Sequence, residues 1–488
     1  MGLAGLMAVA HLGCLVSPDP SLWQQVDAAV DLAAADLTRD TGPDADAAVD
    51  VSPDSPPIGV ATIYRSVGPG STQALAQGQV LSSAVAISGV VAAFDKPLPD
   101  RVGVGDVLLY DADGDGDIDG KDAVGFVHRR YSASSLELRG AAGQVPRAAS
   151  KTTVWSLWRA YTSLADAVSC TENSGIVAAL RDFDTGTGGR DLVAANRRWE
   201  LACYADATET SSVTITGWTT STDNPLRIFA PWLADQVGTP QRHMGHAGAG
   251  FVITPAGPGH AVQVQVDHVQ IDGLEIAGWQ NDVEGASYEG VHLAADDTVL
   301  QDLLIHDDLH PGVTNPNGDG INLNEMKAGQ SVTIRNCMIY GISRGAINYQ
   351  DALALSITIQ SCTIHDTGTT LANADDEGGI NIASTTAAVE VTNTISVGSA
   401  SGDDFKSGSG WSGSSNNISS DASAPGGSSI TAVSASTLFV SLTSGSEDLH
   451  LVAGCAAVDA GASLSGSFST DIDAELRTAP WDIGADER

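Results

Sequence analysis

The segments VTIRNCMI, at residues 332–339, and ITIQSCTI, at residues 357–364, decide the fold of this chain. Both place apolar residues at the same positions and alternate them with polar ones, as half-buried β-strands do. Looser copies are VQIDGLEI at 269–276, VLQDLLI at 299–305 and VEVTNTI at 389–395. The spacing between copies is variable, which excludes helical repeats of fixed length.

A second short strand recurs in each unit, preceded each time by Gly or Ala, at 291–293, 321–323, 347–349 and 380–382. Several short strands per unit predict a right-handed parallel β-helix, because each coil can bury its inner side chains only against the next coil. The predicted inward ladders are Ile271, Leu300, Ile334 and Ile359, and Leu274, Leu303, Cys337 and Cys362. The residues predicted to form tight turns between strands are Gly273, Asp302, Asn336, Ser361 and Asn393.

The predicted fold class is therefore all-β, with the parallel β-helix at residues 213–425. Residues 58–150 are predicted to form a small β module, and residues 151–212 an N-terminal cap with an amphipathic helix at 154–168. Residues 426–488 are a C-terminal coil and closing segment. That segment contains Ala457-Val-Asp-Ala-Gly461 and Asp482-Ile-Gly-Ala-Asp-Glu487, and it resembles the end of many secreted bacterial right-handed β-helix proteins of the pectate-lyase-like superfamily. The resemblance implies fold and export, but no chemistry.

The charge balance restricts the partners. Lys and Arg total 23 against 60 Asp and Glu, a formal net charge of -37. This field repels nucleic acid and anionic lipid, which excludes both as binding surfaces. The 42% of hydrophobic residues is enough for a core, and we expect most of the chain to fold, as a monomer.

The first residues indicate export. Residues 2–16 are apolar, end near Leu12-Gly13-Cys14 and are too short to span a bilayer. They resemble a bacterial lipoprotein signal peptide, which implies an outer-membrane lipoprotein at the cell surface, held to the membrane only by a lipid on Cys14. The alternatives are an ordinary cleaved signal, which gives an extracellular protein, or a mis-assigned start. The Asp-rich residues 17–57 predict an extended, disordered linker.

The other five cysteines are an odd number, so at least one is unpaired within the chain. A disulfide is predicted between Cys170 and Cys203. Cys337 and Cys362 are interpreted as stacked core thiols rather than as a disulfide or a metal site.

An Asp-rich loop at 111–122 matches the EF-hand calcium pattern, with a dockerin-like Asp at its last position. The flanking residues look like strands rather than the helices of an EF-hand. The candidate Ca²⁺ ligands are Asp111, Asp113, Asp115, Asp117, Asp119 and Asp122. The alternative is a solvated Asp/Gly hairpin turn.

The second strand of each unit also predicts a column of exposed side chains, because alternate residues of a strand point to opposite faces. The members of this column are His292, Asn322, Asn348, Asn381 and Lys406. A row of amides suits an extended sugar chain, and Tyr340, between His306 and His365 in another column, could stack on a sugar ring. The alternative is a purely structural ladder.

The residues Gly402-Asp-Asp-Phe-Lys-Ser-Gly408 resemble the Gly-Phe-Lys-x-Gly strand of family 9 polysaccharide lyases. The resemblance implies that Lys406 removes the proton α to a uronate carboxylate. It also implies that Asp375, Asp376, Asp403 or Asp404 hold a calcium ion, which would acidify that carbon.

Two functional hypotheses follow. The first is a surface-anchored protein that binds an acidic extracellular polysaccharide and cleaves it by calcium-assisted β-elimination. The second is a non-catalytic carbohydrate-binding or surface-display β-helix.

Overall fold

The computed structural model describes residues 59–184, 190–280, 286–310, 317–368 and 378–488. Three parallel sheets run through these ranges and form the right-handed parallel β-helix that the repeats predict. Sheet 1 contains, in spatial order, β1 (Ala61–Val67), β10 (Arg197–Cys203), β12 (Leu226–Phe229), β15 (Val269–Asp272), β18 (Thr298–Gln301), β21 (Ser331–Arg335), β24 (Ser356–Gln360) and β27 (Ala388–Thr392).

Sheet 2 and sheet 3 complete each coil. Sheet 2 contains β11 (Val213–Ile215), β14 (Val262–Val264), β17 (Val291–Leu293), β20 (Ile321–Asn322), β23 (Gly345–Tyr349), β26 (Gly378–Ile382) and β29 (Phe405–Ser407). Sheet 3 contains β13 (Val252–Ile253), β16 (Glu275–Ala277), β19 (Leu304–His306), β22 (Met338–Ile342), β25 (Thr363–Thr367), β28 (Ile395–Val397) and β30 (Ile418–Ser419).

The register predicted from the repeats is confirmed. The closing isoleucines of the first four copies pair in sequence along sheet 3: Ile276, Ile305, Ile339 and Ile364. The two predicted inward ladders are buried in one continuous core. The five predicted turn residues all have positive φ, between 48° and 73°, a conformation that Gly, Asn and Asp adopt most readily.

The β-helix begins earlier in the chain than predicted. Strand β1 pairs in parallel with β10, so the first strand of sheet 1 lies at Ala61–Val67 rather than after residue 213. An antiparallel sheet is inserted between these two strands. It contains β2 (Ala76–Gln77), β9 (Trp155–Trp158), β5 (Val107–Tyr110), β6 (Ala123–Ser132), β7 (Ser135–Arg139), β4 (Val91–Phe94), β3 (Val85–Ser88) and β8 (Ala149–Thr152).

The predicted helix at 154–168 is largely wrong. Its first part is strand β9, which pairs with β2 and β5, so the β module extends to Trp158 rather than to residue 150. Helix α2 covers only Leu164–Ser169, and Ser163 caps it by accepting the N–H of Asp166 at 2.9 Å. The other helices are α1 (Gly78–Leu81) and α3 (Leu192–Ala195), with 3-10 turns at Ala178–Leu180 and Ala435–Thr437.

The C-terminal residues fold back over the outer face of sheet 3. The hairpin of β31 (Phe439–Thr443) and β32 (Ser446–Leu451) and the closing segment cover apolar side chains of that sheet. Arg477 anchors the segment: its guanidinium donates to Oδ1 of Asn336 at 2.7 Å and to the carbonyls of Gly484 and Ala485.

All five cysteines among the described residues are free thiols: Cys170, Cys203, Cys337, Cys362 and Cys455. The predicted disulfide between Cys170 and Cys203 is therefore not formed. Both are buried at the cap, where a thiol packs as a small apolar side chain, and burial raises the pKa of each. Cys337 and Cys362 lie stacked in the core, as interpreted from the sequence. Within the described ranges, no helix has the length and apolar character that crossing a membrane requires.

Candidate functional site

A polar column runs along sheet 2 in the predicted register. Its pairs are His292 with Asn322, Asn322 with Asn348, Asn348 with Asn381, and Asn381 with Lys406. The predicted exposure of this column is wrong, because His292 is 7% exposed, Asn322 2%, and Asn348 and Asn381 0%. These four side chains therefore offer little surface to a sugar chain.

Asp319 explains why the amides are buried. This fully buried carboxylate precedes β20, and its Oδ2 accepts from the side-chain amides of Asn322 at 2.7 Å and Asn348 at 2.8 Å. The amide of Asn381 donates in turn to Asn348 at 3.4 Å. Burial raises the pKa of Asp319 to about 6, against the opposing effect of Arg344. The amides thus bind neighbouring coils to one another.

The first coils of the column hold a histidine cluster. Both His260 and His292 contact Oε2 of Glu289 through Nδ1, the second at 3.1 Å, and the two rings lie 4.3 Å apart. Glu325, on the exposed side, approaches Nε2 of His292 at 3.4 Å. Burial raises the pKa of Glu289, but hydrogen bonds from the two histidines outweigh burial and lower it to about 2.

Lys406 lies at the other end of the column. It is half-buried on β29, which is the edge strand of sheet 2, and the preceding Phe405 is 3% exposed and packs in the core. Phe405 therefore fixes the strand and leaves Lys406 at its outer face. Of the described column members from His292 onward, Lys406 is the most accessible.

The carboxylates predicted around Lys406 do not assemble into a calcium site among the described residues. Asp404 is 1% exposed, and its two oxygens accept the N–H groups of Ser399, Ser420 and Asp421 and the hydroxyl of Ser420. It therefore closes a turn. Asp403 is exposed. The other two candidates, Asp375 and Asp376, lie outside the described residues, as do Cys14 and the predicted linker.

The Asp-rich loop connects β5 and β6 as a hairpin, as the flanking strand patterns predict. The six aspartates form two groups, and within each group one carboxylate oxygen per residue lies within 4.8 Å of the others. The groups are Asp111, Asp113 and Asp122, and Asp115, Asp117 and Asp119. A hydrogen bond and the like charge of Asp115 raise the pKa of Asp117. Oxygen ligands crowded in this way fit a hard cation such as Ca²⁺.

Tyr340 also differs from the prediction. It lies between His306 and His365 in register, as expected, but it is 3% exposed, and the ring of His306 stacks on it at 4.9 Å. One ring face is therefore occupied. Burial lowers the pKa of His306, but hydrogen bonds to Asp307 and Glu275 outweigh burial and raise it to about 9.

A cleft of about 540 Å³ lies beside Tyr340, between sheet 3 and the C-terminal hairpin. His246 and Asp448 line it together with His306, and His450 lies next to Asp448. Sequence reasoning missed this cluster, because His246 and His450 lie in segments outside the repeats and the fold alone brings them together. The alternation of Asp448 and His450 on one strand was the available local signal.

No protein family matches the chain, and no curated protein does so either. Two solved structures match. The pectate lyase Pel9A is 14% identical, covers 60% of this chain and 88% of its own, and has a TM-score of 0.35. The tailspike protein gp49 from Pseudomonas phage LKA1 is 11% identical and has a TM-score of 0.14. The match covers 69% of this chain and 50% of the tailspike chain. At such similarity the assignment of a parallel β-helix rests on the three sheets of this chain.

Proposed function

We propose that the protein binds an acidic extracellular polysaccharide and cleaves it by β-elimination at Lys406. The position of Lys406 carries this proposal: it is a half-buried amine on the edge strand of sheet 2, at the end of a column whose four preceding members are buried. Among these column members, Lys406 offers the most surface to a sugar chain laid across the coils. An amine would also supply a local positive charge in a chain of net charge -37.

The chemistry requires a base at one carbon. The base takes the proton α to the uronate carboxyl group, the electron pair forms a carbon–carbon double bond, and the bond from the β carbon to the glycosidic oxygen breaks. The departing oxygen takes up a proton. Lys406 would be the base, and the fixed backbone of β29 would set its distance from the substrate.

We propose no calcium-dependent step at Lys406. The described residues near Lys406 do not fit a calcium site, because Asp404 already accepts four hydrogen bonds and only Asp403 is exposed. We propose instead that calcium binds the loop at 111–122, where it would stabilise the hairpin between β5 and β6.

A second candidate function is non-catalytic binding. Asn322, Asn348 and Asn381 use their amides within the protein, so the column is a structural ladder and does not itself indicate catalysis. A β-helix with this internal ladder needs no reaction to bind a polymer through its surrounding loops.

The test compares cleavage and binding in three variants. Uronate polymers such as polygalacturonate and alginate are incubated with the protein, and the ultraviolet absorbance of an unsaturated uronate product is followed. Lys406→Ala should abolish the product. Lys406→Arg keeps the positive charge but cannot act as a base at neutral pH, so it should retain binding in co-sedimentation and lose cleavage. Lys327→Ala, at an exposed lysine elsewhere on the chain, should change neither property.

Each outcome decides between the candidates. Product formation that survives in Lys406→Ala contradicts the role of this lysine. Binding without product on any polymer supports the non-catalytic function. The absence of both binding and product on all polymers rejects the proposal.

We also propose that the protein is exported and anchored through a lipid on Cys14. The Cys14→Ser variant should move from the membrane pellet to the soluble fraction of cells. Unchanged fractionation would argue against the anchor.

A further inference from the structure

The cleft beside sheet 3 has two different walls. His306 and Tyr340 form one wall, on β19 and β22, and Glu447 and Asp448 form the other, on β32. His246 reaches the same cleft from the loop that precedes β13. None of these side chains belongs to the column that ends at Lys406.

Three of the residues here form a compact set of metal-binding groups. His246, Asp448 and His450 each offer one ligand atom, and these atoms lie within 4.8 Å of one another. Asp448 and His450 project from the same face of β32, because two positions separate them on the strand. Nδ1 of His450 lies 2.5 Å from Oδ1 of Asp448, and the ring centres of His246 and His450 are 4.7 Å apart.

The loop that carries His246 is held in place on both sides. Nδ1 of the buried His243 accepts the N–H of Gly245 at 3.0 Å, and the carbonyl of His243 accepts the N–H of His246 at 3.0 Å. Beyond His246, the N–H of Gly248 donates to the Glu275 carboxylate at 2.7 Å. His246 is exposed, yet its backbone position is fixed before any ligand arrives.

Gly245 allows this loop to approach His450. Its φ is +72°, and a Cβ on this residue would lie 2.5 Å from Nε2 of His450. The same Nε2 lies 3.0 Å from Oδ1 of Asp473. A histidine that ligates a metal usually donates its other ring N–H to a carboxylate, which fixes the tautomer. Because Asp473 holds Nε2 of His450, the ligand atom of this histidine is Nδ1, which points toward Asp448.

We infer that His246, Asp448 and His450 bind a divalent transition-metal ion of the zinc class. Two imidazoles and one carboxylate are ligands that Zn²⁺ accepts, and three protein ligands leave a fourth position for water. Binding would displace the proton that Nδ1 of His450 shares with Asp448, releasing it to solvent, and would separate these two ligand atoms to about 3.2 Å, as tetrahedral bonds of about 2.0 Å require.

The experiment uses the full chain after treatment with a chelator. Titration with Co²⁺ is followed by its visible d–d absorption, and Zn²⁺ binding is measured by calorimetry, both with excess Ca²⁺ present to occupy the Asp-rich loop. The wild type should bind one equivalent. His246→Ala, at an exposed position that folding does not require, should weaken binding by more than about tenfold. Asp448→Asn should also weaken it, and thermal melting of the metal-free variants confirms that each is folded.

His260→Ala is the matched control, since among the described residues His260 belongs to a second cluster of two histidines and a carboxylate, with Glu289 and His292. Its affinity for Co²⁺ should equal that of the wild type. The inference is overturned if the wild type gives no d–d absorption, if His246→Ala binds as tightly as the wild type, or if His260→Ala is the variant that loses the ion.

Discussion

Asn348 donates its side-chain amide to Oδ2 of Asp319, on the neighbouring coil, across 2.8 Å, and both residues are fully buried. The same oxygen accepts the amide of Asn322, so one carboxylate joins two consecutive strands of sheet 2. A buried carboxylate is costly unless donors surround it. The amides of the column are therefore part of what makes Asp319 tolerable inside the protein.

We expect Asn348→Ala to lower the free energy of unfolding by about 2 kcal/mol, because it removes a donor from Asp319 and an acceptor from Asn381. Urea denaturation measures the change. Thr214→Ala is the control: Thr214 belongs to the same column through its pairing with Gln263, but it is exposed, so its replacement should cost less than about 0.5 kcal/mol. Where the Asn348 variant remains folded, its polysaccharide binding should match that of the wild type. If the variant bound polysaccharide less tightly at unchanged stability, Asn348 would contact the sugar directly, contrary to what its burial indicates.

Calcium should stabilise the β module. Raising Ca²⁺ to millimolar concentration is expected to raise the midpoint of thermal unfolding, because the ion offsets repulsion among crowded carboxylates. Asp113→Ala should remove most of this increase, since Asp113 is exposed and shares a group with Asp111 and Asp122. Asp403→Ala, at an exposed aspartate far along the chain, should keep it. If Ca²⁺ raised the unfolding midpoint equally in the wild type and in Asp113→Ala, the ion would bind at a different site.

The free thiols predict that reducing agents have no effect on stability. A disulfide joining Cys170 to Cys203 would contribute about 3 kcal/mol through the loop it closes. Melting curves with and without dithiothreitol should therefore coincide, and thiol titration in denaturant should count both cysteines as reactive. A lower melting temperature in reductant, with two fewer thiols titrated, would show that the bridge forms.

The register of the β-helix could be predicted from the sequence because each copy of the repeat has apolar residues at the same positions. The pairing of Ile339 with Ile364 needs only a local pattern and its recurrence. Exposure could not be predicted in this way. Whether Asn348 faces solvent depends on Asp319 and on the loops between sheets, whose lengths vary from coil to coil.

The position of strand β1 could not be predicted from the repeats either. It pairs with β10 across the whole inserted β module, and no repeat marks a partner so distant in the chain. The cluster of His246 and His450 also joins residues that are distant in the chain, since the C-terminal hairpin that carries His450 follows all the coils in sequence and packs on sheet 3.

His306 joins two coils of sheet 3 through its charge. Its Nε2 lies 3.1 Å from Glu275 and its Nδ1 lies 2.9 Å from Asp307. Of its neighbours, Tyr340 and His243 stay neutral near pH 7, because burial raises the pKa of Tyr340 and lowers that of His243 to about 3. His246, Glu447 and Asp448 line the same cleft. With a pKa of about 9, the folded protein holds the His306 proton more tightly than the unfolded chain does.

This contribution to stability is fully present below the ordinary histidine pKa of about 6.5 and is lost as pH rises through about 9. At pH 6 we expect His306→Gln to be less stable than the wild type by about 3 kcal/mol, and the difference should shrink between pH 7 and pH 10. Urea denaturation across this pH range measures it. His365→Gln, two coils further in the same column, serves as the control, since His365 bonds through Nδ1 to the carbonyl of Val397 rather than to a carboxylate. A stability difference for His306→Gln that stays constant from pH 6 to pH 10 would mean that His306 is neutral and contributes by packing alone.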